Sequence, residues 1–244
     1  MEYIPKPPES RPAALDQYAD EWKKWQAYHQ DETKKQPKGH WTHPDIREPL
    51  VKLFLACCGY CGQGTGKQDT HYEGQVDHYI PKGRKADSPK LVYDWTNYIW
   101  SCQPCNHEKG ETYQPDCLPL NPCDTEDMAG IELDENSGCY QPNSGCSKAR
   151  FELTRRITWV NEDSRADRRR KMVGLFRNCI KEMAQTYEMV VLKLESETVL
   201  HQQLAAFTDW LAFGFRPLAR RLYTEHEALN KAYPFASLMD EYSD

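Results

Sequence analysis

Asp77 and His78 stand side by side in the stretch VDHYIP, residues 76–81, and both side chains can serve acid–base or metal chemistry. Neighbouring side chains on a regular strand point to opposite faces, so a single site uses both only where the strand ends or bends. Pro81 favours such an ending, because proline cannot donate to a strand ladder. Alone, the pair is weak grounds for a site, since such dipeptides occur by chance.

Two C-x-x-C pairs flank this stretch, Cys58-Gly-Tyr-Cys61 and Cys102-Gln-Pro-Cys105. A C-x-x-C turn directs two thiolates to one point, and two such turns close a tetrahedral four-cysteine zinc site. Cys57 offers only a C-x-x-x-C spacing, so Cys58 is the preferred ligand. The alternatives are a redox dithiol or free cysteines, and the redox alternative lacks a βαβ context. The sequence therefore predicts a structural Zn²⁺ held by Cys58, Cys61, Cys102 and Cys105.

Four polar residues converge if zinc ties these segments together. The segments VDHYIP, TNYIW and CNHEKG then bring Asp77, His78 and Asn97 close to either Asn106 or His107. A carboxylate beside an amide or an imidazole makes a sparse site for a divalent cation, with room for waters and phosphate oxygens. A neutral His78 can take a proton from water, and an Asn carbonyl can hold that imidazole in the required tautomer.

The order of these motifs resembles that of the HNH endonucleases. C-x-x-C is followed by VDHYIPKG, then by WTNYIWSC and CQPCNHEKG, over residues 58–110. The resemblance implies a ββα-metal fold and a nuclease that cleaves phosphodiester bonds with a divalent metal such as Mg²⁺ or Mn²⁺. It also implies that His78 activates water, that Asn97 orients His78 and that Asp77 helps to hold the metal.

The last metal ligand is open between two neighbouring residues. The family resemblance points to the position directly after the second cysteine of the second pair, which is Asn106. His107 is the stronger ligand chemically, but adjacent helix residues lie about 100° apart and cannot both face one metal. We favour Asn106 and keep His107 as the alternative.

Basic residues beside the motif are predicted phosphate contacts: Lys82, Arg84, Lys85 and Lys109. Solvated surface charge is the alternative for each of them.

The net charge of −6 argues against bulk nucleic-acid binding, yet the charge is segregated, since 110–147 hold no Lys or Arg and 148–181 are rich in basic residues. A chain with its charge divided in this way can still present a basic face to phosphates. DNA is the favoured substrate, while the choice between DNA and RNA and the strandedness of the substrate stay open.

The elements that must position these residues follow from hydrophobic spacing and turn residues. Short strands are expected at EGQVDHY and TNYIWSC, and CQPCNHEKG starts a short helix that Gly110 ends. A helix is expected over 44–58, where Pro44 suits the first turn. The section 111–147 is rich in Pro, Asn, Gly and Asp, which favours irregular structure. From Ala149 onward the pattern is helical.

The predicted fold class is α+β, with a small zinc-stapled ββα-metal core embedded in a mainly α-helical chain. The aromatic stripe within 18–32 is interpreted as core or partner contact. Four segments are expected: an N-terminal arm and helix (1–43), the nuclease core with its zinc site (44–115), an acidic irregular insert (116–148) and a helical C-terminal region (149–244).

Two further features are left open by the sequence. The run RADRRRK, residues 165–171, suits a phosphate backbone, an acidic partner or a solvated helix face equally. A second zinc site and ordinary reduced thiols are both compatible with four loosely spaced cysteines: Cys117, Cys123, Cys139 and Cys146.

The wider layout is similar to the HNH nucleases of Septu-type and retron-associated phage defence, the PtuB-like proteins. The runs DWTN (94–97) and NPCD (121–124), the aromatic N-terminal segment and the helical C-terminal part carry this looser resemblance. It implies a bacterial protein that works with an ATPase partner of the ABC/SMC-like class. A cytoplasmic location without membrane contact is expected, because the sequence has neither an apolar span of about 18 residues nor signal-peptide features.

A non-enzymatic interpretation stands beside the nuclease. Two zinc knuckles and a basic helix also suit a non-catalytic nucleic-acid-binding or adaptor module stabilised by zinc. The full set of Asp77, His78, Asn97 and Asn106 favours the nuclease. Cleavage that requires both a metal and His78 discriminates between the two.

Overall fold

The computed structural model describes residues 1–65, 73–83, 89–111, 118–158, 160–212 and 214–239. Within these ranges, two small two-stranded sheets lie among helices, as the α+β prediction requires. The strands are β1 (Gly74–His78), β2 (Tyr98–Cys102), β3 (Ile131–Asp134) and β4 (Cys139–Pro142). The helices are α1 (Trp22–Gln30), α2 (Pro44–Leu53), α3 (Gln103–Lys109), α4 (Thr125–Ala129), α5 (Lys148–Thr158), α6 (Asp163–Val191), α7 (Glu197–Leu211), α8 (Arg216–Thr224), α9 (Glu227–Ala232) and α10 (Phe235–Leu238).

Strands β1 and β2 and helix α3 form one continuous ββα unit. The strands pair antiparallel, with His78 opposite Tyr98 and Gly74 opposite Cys102, and α3 follows β2 directly. Helix α3 ends at Gly110, whose φ of 50° lies in the left-handed region that favours glycine. Both strands and the short helix therefore match the sequence prediction.

Helix α2 leads into the first cysteine pair and is shorter than predicted. The pattern predicted a helix over 44–58, whereas the helix ends at Leu53. Leu55 and Ala56 follow with φ values of 51° and 48°, which a right-handed helix cannot contain. The turn lets the Ala56 carbonyl accept a hydrogen bond from the Thr65 amide (2.8 Å). The apolar pattern runs past the helix end because Ala56 is itself buried.

The N-terminal segment packs on the ββα unit and is not a free arm. Ile4 and Leu15 are buried, and the Ile4 amide donates to the Pro122 carbonyl (2.8 Å). In α1, Trp25 is buried and packs against Trp41 with ring centroids 5.7 Å apart. The interpretation of the aromatic stripe as core is therefore confirmed for Trp25.

The acidic section after the ββα unit contains regular structure, which corrects the prediction of an irregular insert over 116–148. Helix α4 begins after Asp124, whose carboxylate accepts from the amides of Glu126 and Asp127. Strands β3 and β4 then form an antiparallel hairpin. Each of these elements has only four or five residues, so the turn-rich composition around them dominated the sequence pattern.

Buried apolar side chains form two clusters. One cluster joins the N-terminal segment, the ββα unit, the hairpin and α5, and the other lies mainly among α6–α10. The two clusters meet at the first cysteine loop, where the Phe215 amide donates to the Gly62 carbonyl (2.9 Å). Arg216 also donates there to the Ala56 carbonyl (3.3 Å). Among the described residues, no helix has both the length and the apolar character to cross a membrane.

Candidate active site and zinc centre

The four predicted cysteine ligands come together in the structure. The Sγ atoms of Cys58, Cys61, Cys102 and Cys105 all lie within 4.8 Å of one another, and all four residues are buried. The Sγ atoms of Cys61 and Cys102 are 3.8 Å apart. That distance is close to the edge of a tetrahedron with Zn–S bonds of about 2.3 Å. The donor set therefore fits a structural Zn²⁺ ion.

The remaining cysteines lie apart from this centre. The Sγ atom of Cys57 accepts a hydrogen bond from Arg216 (3.6 Å), in line with the choice of Cys58 as the ligand. Cys117 falls outside the described residues. Within the part of the chain that is described, no second metal-binding group includes the other three candidates: Cys123, Cys139 and Cys146.

A buried arginine stands beside the zinc centre. Arg165 Nη1 donates to Cys105 Sγ (3.4 Å) and to the Thr158 carbonyl (2.5 Å). Four thiolates around a Zn²⁺ ion would carry a net charge of −2, so a guanidinium at this distance would stabilise the filled centre. Sequence reasoning missed this contact, because Arg165 opens the RADRRRK run without any sign that it faces inward. Arg169 of the same run is buried too, so the run is not simply a solvated helix face.

Asp77, His78 and Asn106 border one cavity, which Asn97, the other residue expected to converge there, does not line. Strand β1 ends at His78, and both members of the Asp77–His78 pair lie along this cavity. The cavity has a volume of about 170 Å³ and is lined by Val76, Asp77, His78, Pro81, Lys82, Asn106, Gly110 and Glu111.

The surroundings of His78 fix its tautomer. Nε2 lies 2.9 Å from the Val92 carbonyl oxygen, and because a carbonyl only accepts, Nε2 carries the proton. Nδ1 then holds the lone pair, and this buried atom has no hydrogen-bond partner among the described residues. The rings of Trp41 and Tyr98 meet the imidazole at steep angles, with centroids 4.6 and 5.1 Å away. These contacts hold the ring in one orientation.

Burial keeps the His78 imidazole neutral. Burial first, and the positive charge of Lys82 second, lower the pKa of His78 to about 3, while the hydrogen bond to Val92 opposes this shift. The neutral imidazole is the form that accepts a proton. With Nε2 protonated, Nδ1 is the nitrogen able to act as a base.

The Asn97 side chain makes its hydrogen bonds to Ile80 and Leu91 and not to the His78 ring, although the family resemblance implies that Asn97 orients His78. Its Oδ1 accepts from the Ile80 amide (2.7 Å), and its Nδ2 donates to the carbonyls of Ile80 and Leu91 (both 3.0 Å). Leu91 precedes Val92, whose carbonyl binds the imidazole. Asn97 therefore positions His78 through the backbone around it, and the carbonyl that fixes the tautomer belongs to Val92.

Both oxygens of the Asp77 carboxylate have partners. Tyr60 Oη donates to Oδ2 (2.7 Å), and Lys109 Nζ lies 3.0 Å from Oδ1. Burial, together with the negative charge of Asp77, raises the pKa of Tyr60, so the phenol stays a donor. Tyr60 lies inside the first C-x-x-C pair, and the spacing of that pair gave no sign of this contact.

Lys109 is buried, which corrects its prediction as a surface phosphate contact. The residue is 0% exposed, and its ammonium donates to the His78 carbonyl (2.7 Å) as well as to Asp77. Lys109 follows Asn106 by three helix positions, so both residues lie on the face of α3 that meets β1. Sequence reasoning placed the lysine on the surface because it did not foresee a buried carboxylate as its counter-charge.

Asn106 and His107 differ in their position relative to the cavity. Asn106 lines the cavity, whereas His107 is exposed and does not. Asn106 Nδ2 donates to Gln75 Oε1 (2.7 Å), which leaves the amide oxygen Oδ1 as the atom that can bind a metal. The arrangement therefore favours Asn106, as the sequence analysis does.

Of the remaining basic candidates, Lys82 borders the cavity. Its ammonium lies 5.4 Å from the Trp41 ring centroid, and burial lowers its pKa. Arg84 and Lys85 fall outside the described residues. Glu111 also borders the cavity and was missed, since it follows the helix stop at Gly110 and belongs to no motif.

Comparison with known proteins agrees with this geometry. Residues 58–112 match the family model for HNH endonucleases. A stretch of 70 residues, 29% of this chain, is 33% identical to the Septu protein PtuB of Bacillus thuringiensis and covers 25% of that protein. The chain thus matches about a quarter of the length of this relative. No solved structure matches the chain with statistical significance.

Proposed function

We propose that this chain, whose residues 58–112 are an HNH domain, is a metal-dependent endonuclease that hydrolyses phosphodiester bonds, with DNA as its substrate. The observation that carries the proposal is the single cavity bordered by Asp77, His78 and Asn106. It offers a carboxylate, an amide oxygen and a neutral imidazole together. These are the groups that metal-assisted hydrolysis of a phosphodiester needs.

The oxygen donors of the cavity fit a hard divalent cation. The Asp77 carboxylate and the Asn106 amide oxygen would hold it, and oxygen-only ligands suit Mg²⁺ or Mn²⁺. Such a cation supplies stabilisation of negative charge on the phosphate and on the leaving oxygen. The carboxylate of Asp77 is kept in place by the Tyr60 hydroxyl on its other oxygen.

In this proposal His78 removes the proton from the attacking water. The proton goes to Nδ1, and the resulting imidazolium keeps its Nε2–H bond to the Val92 carbonyl. A bound phosphate brings negative charge close to the ring, which favours the protonated form and raises the basicity of an imidazole that burial has weakened. Asn97 holds the backbone on which this geometry depends.

The zinc centre has a structural role in this proposal. It would join the turn that precedes β1 to the junction between β2 and α3, and so hold Asp77, His78 and Asn106 around one cavity. Its four thiolates leave no open coordination position for a substrate. Removing zinc is therefore expected to abolish activity through loss of the ββα unit.

Beyond the activity itself, we propose that the protein acts in bacterial antiviral defence, in the cytoplasm, together with an ABC/SMC-like ATPase. The support is the resemblance to Septu-type nucleases and the 33% identity to Septu PtuB over 70 residues. Coexpression of the chain with such an ATPase tests the partnership. Copurification of a stable complex supports it, and full separation on size exclusion contradicts it.

Cleavage by the purified, zinc-loaded protein tests the nuclease proposal. Supercoiled plasmid, single-stranded DNA and RNA are each incubated with Mg²⁺, with Mn²⁺ or with EDTA. We expect metal-dependent cleavage of DNA and a loss of about 10²- to 10⁴-fold in the His78→Ala variant, the usual contribution of a general base. Binding of DNA without cleavage under any of these conditions favours the adaptor module instead.

A further inference from the structure

Lys109 is a fully buried lysine that reaches from α3 to β1. Lysine is almost never fully buried unless it is paired, and Lys109 has two partners. Its Nζ lies 3.0 Å from Asp77 Oδ1 and 2.7 Å from the His78 carbonyl oxygen. Both partners belong to the end of the strand that carries the candidate catalytic pair.

This ammonium contacts the carboxylate that would hold a divalent cation. Tyr60 donates a hydrogen bond to Oδ2 of the Asp77 carboxylate, and Lys109 donates one to Oδ1. A cation bound to either oxygen at about 2.1–2.5 Å comes within a few ångströms of the ammonium. Two positive charges at that separation repel strongly in a buried site, where solvent screens them little.

The placement of Lys109 on its helix makes this competition specific. Asn106 and Lys109 are three positions apart and share one face of α3, so the amide ligand and the lysine approach Asp77 together. Lys82 also borders the cavity, but its ammonium lies over the Trp41 ring (5.4 Å to the centroid). Among the described lysines, only Lys109 forms an ion pair with Asp77.

We propose that Lys109 is an internal counter-cation that competes with the divalent metal for Asp77. The inference rests on the proposed function, since it takes Asp77 as a ligand of the catalytic metal. Lys109 neutralises the buried carboxylate and holds the end of β1 in place, and metal binding requires its ammonium to leave Oδ1. The cost of that displacement weakens the intrinsic metal affinity of the site.

Mn²⁺ binding to the zinc-loaded protein tests this inference without any measurement of cleavage. The free Mn²⁺ signal in electron paramagnetic resonance gives the dissociation constant for the wild type and for Lys109→Met, which keeps the stem and removes the charge. We expect Lys109→Met to bind Mn²⁺ at least tenfold more tightly. Equal or weaker binding overturns the inference.

Lys82→Met is the matched control, because it removes a charge that borders the cavity without breaking the ion pair between Lys109 and Asp77. We expect its Mn²⁺ affinity to rise much less than that of Lys109→Met. An equal rise in both variants overturns specific displacement, since it reports only the total charge of the cavity. Asp77→Asn added to Lys109→Met should remove the tight binding, and persistence of that binding places the metal elsewhere and also overturns the inference.

The wild type offers a second measurement if Lys109→Met does not fold. The ammonium of a buried, hydrogen-bonded lysine exchanges slowly and gives a ¹⁵N–¹H signal that can be followed during titration with Mg²⁺. We expect the Lys109 signal to shift or vanish in step with metal binding, and an unchanged signal at saturation overturns the inference. Tight Mn²⁺ binding by Lys109→Met without any DNA cleavage supports the inference and counts against the nuclease proposal. The absence of metal binding in the wild type and in all variants overturns both the inference and the nuclease proposal.

Discussion

Replacing Asn97 by alanine removes a support of the candidate base without touching the base itself. The Asn97 amide is buried and makes three hydrogen bonds, one from the Ile80 amide and two to the carbonyls of Ile80 and Leu91. The variant leaves these backbone groups without their partner. Since Leu91 adjoins Val92, the carbonyl that fixes the His78 tautomer loses its support as well.

The size of the effect follows from these bonds. A hydrogen bond contributes about 0.5–1.5 kcal/mol net, so losing three costs roughly 2–4 kcal/mol of unfolding free energy. For a chain of this length that lowers the melting temperature by roughly 5–15 °C. A base displaced by about 1 Å loses about 10²-fold in rate, so we expect activity to fall by at least tenfold beyond any loss of folded protein.

Three measurements on zinc-loaded protein follow these effects: thermal unfolding, hydrogen exchange of the Ile80 amide and the cleavage rate. Asn161→Ala is the matched control, because Asn161 makes two similar hydrogen bonds with the backbone of Tyr140 (2.8 and 2.6 Å) and neither residue lines the cavity. We expect both variants to lose stability and only Asn97→Ala to speed exchange at Ile80 and to lose activity per folded molecule.

The reasoning is refuted if Ile80 exchanges as slowly in Asn97→Ala as in the wild type, or if the two variants lose activity equally. Asn97→Asp sharpens the test. Its carboxylate still accepts from the Ile80 amide but faces two carbonyl oxygens without a proton to donate. Full activity of Asn97→Asp would show that Asn97 works by another route.

Two further predictions concern buried cations. Arg165→Met should weaken zinc binding about 10- to 100-fold in a chelator titration, because it removes the hydrogen-bond donor to Cys105 Sγ. Arg169 lies on the same helix and donates to the Val160 carbonyl, so Arg169→Met should lower the stability without this selective loss of zinc affinity. Equal zinc affinities of the two variants would contradict the role of Arg165. Burial lowers the pKa of Lys6 to about 8 in the folded protein. Between about pH 8 and 10.5 the unfolded chain therefore holds a proton on Lys6 that the folded protein has lost. The unfolding free energy should rise with pH over this range, by up to about 3 kcal/mol. The difference between wild type and Lys6→Met in urea unfolding isolates this rise, and a difference independent of pH refutes it.

The sequence was sufficient where chemistry depends on local spacing. Two C-x-x-C turns fix the directions of their own thiolates, so the convergence of the four cysteines was predictable, and their Sγ atoms come together as expected. Pro81 marked the end of β1, and the helix stop at Gly110 marked the end of α3. The ββα unit could therefore be drawn from residues 58–110 alone.

The sequence was insufficient where a partner comes from a distant part of the chain. Tyr60 and Lys109 approach Asp77 from the first cysteine loop and from α3, and Arg165 reaches the zinc centre from α6. No periodicity encodes such tertiary contacts, and a lysine or arginine is assigned to the surface by default. The hairpin of β3 and β4 was missed for a related reason, since strands of four residues are specified by packing more than by pattern.

The central claim is that His78 acts as the base in a metal-dependent nuclease, and the most direct test is the initial rate of plasmid cleavage by three proteins of equal zinc content. They are the wild type, His78→Ala and His107→Ala, in which the last change removes an exposed imidazole on α3 that does not border the cavity. We expect metal-dependent cleavage by the wild type and His107→Ala, with a loss of about 10²-fold or more in His78→Ala. Equal rates for wild type and His78→Ala would contradict it.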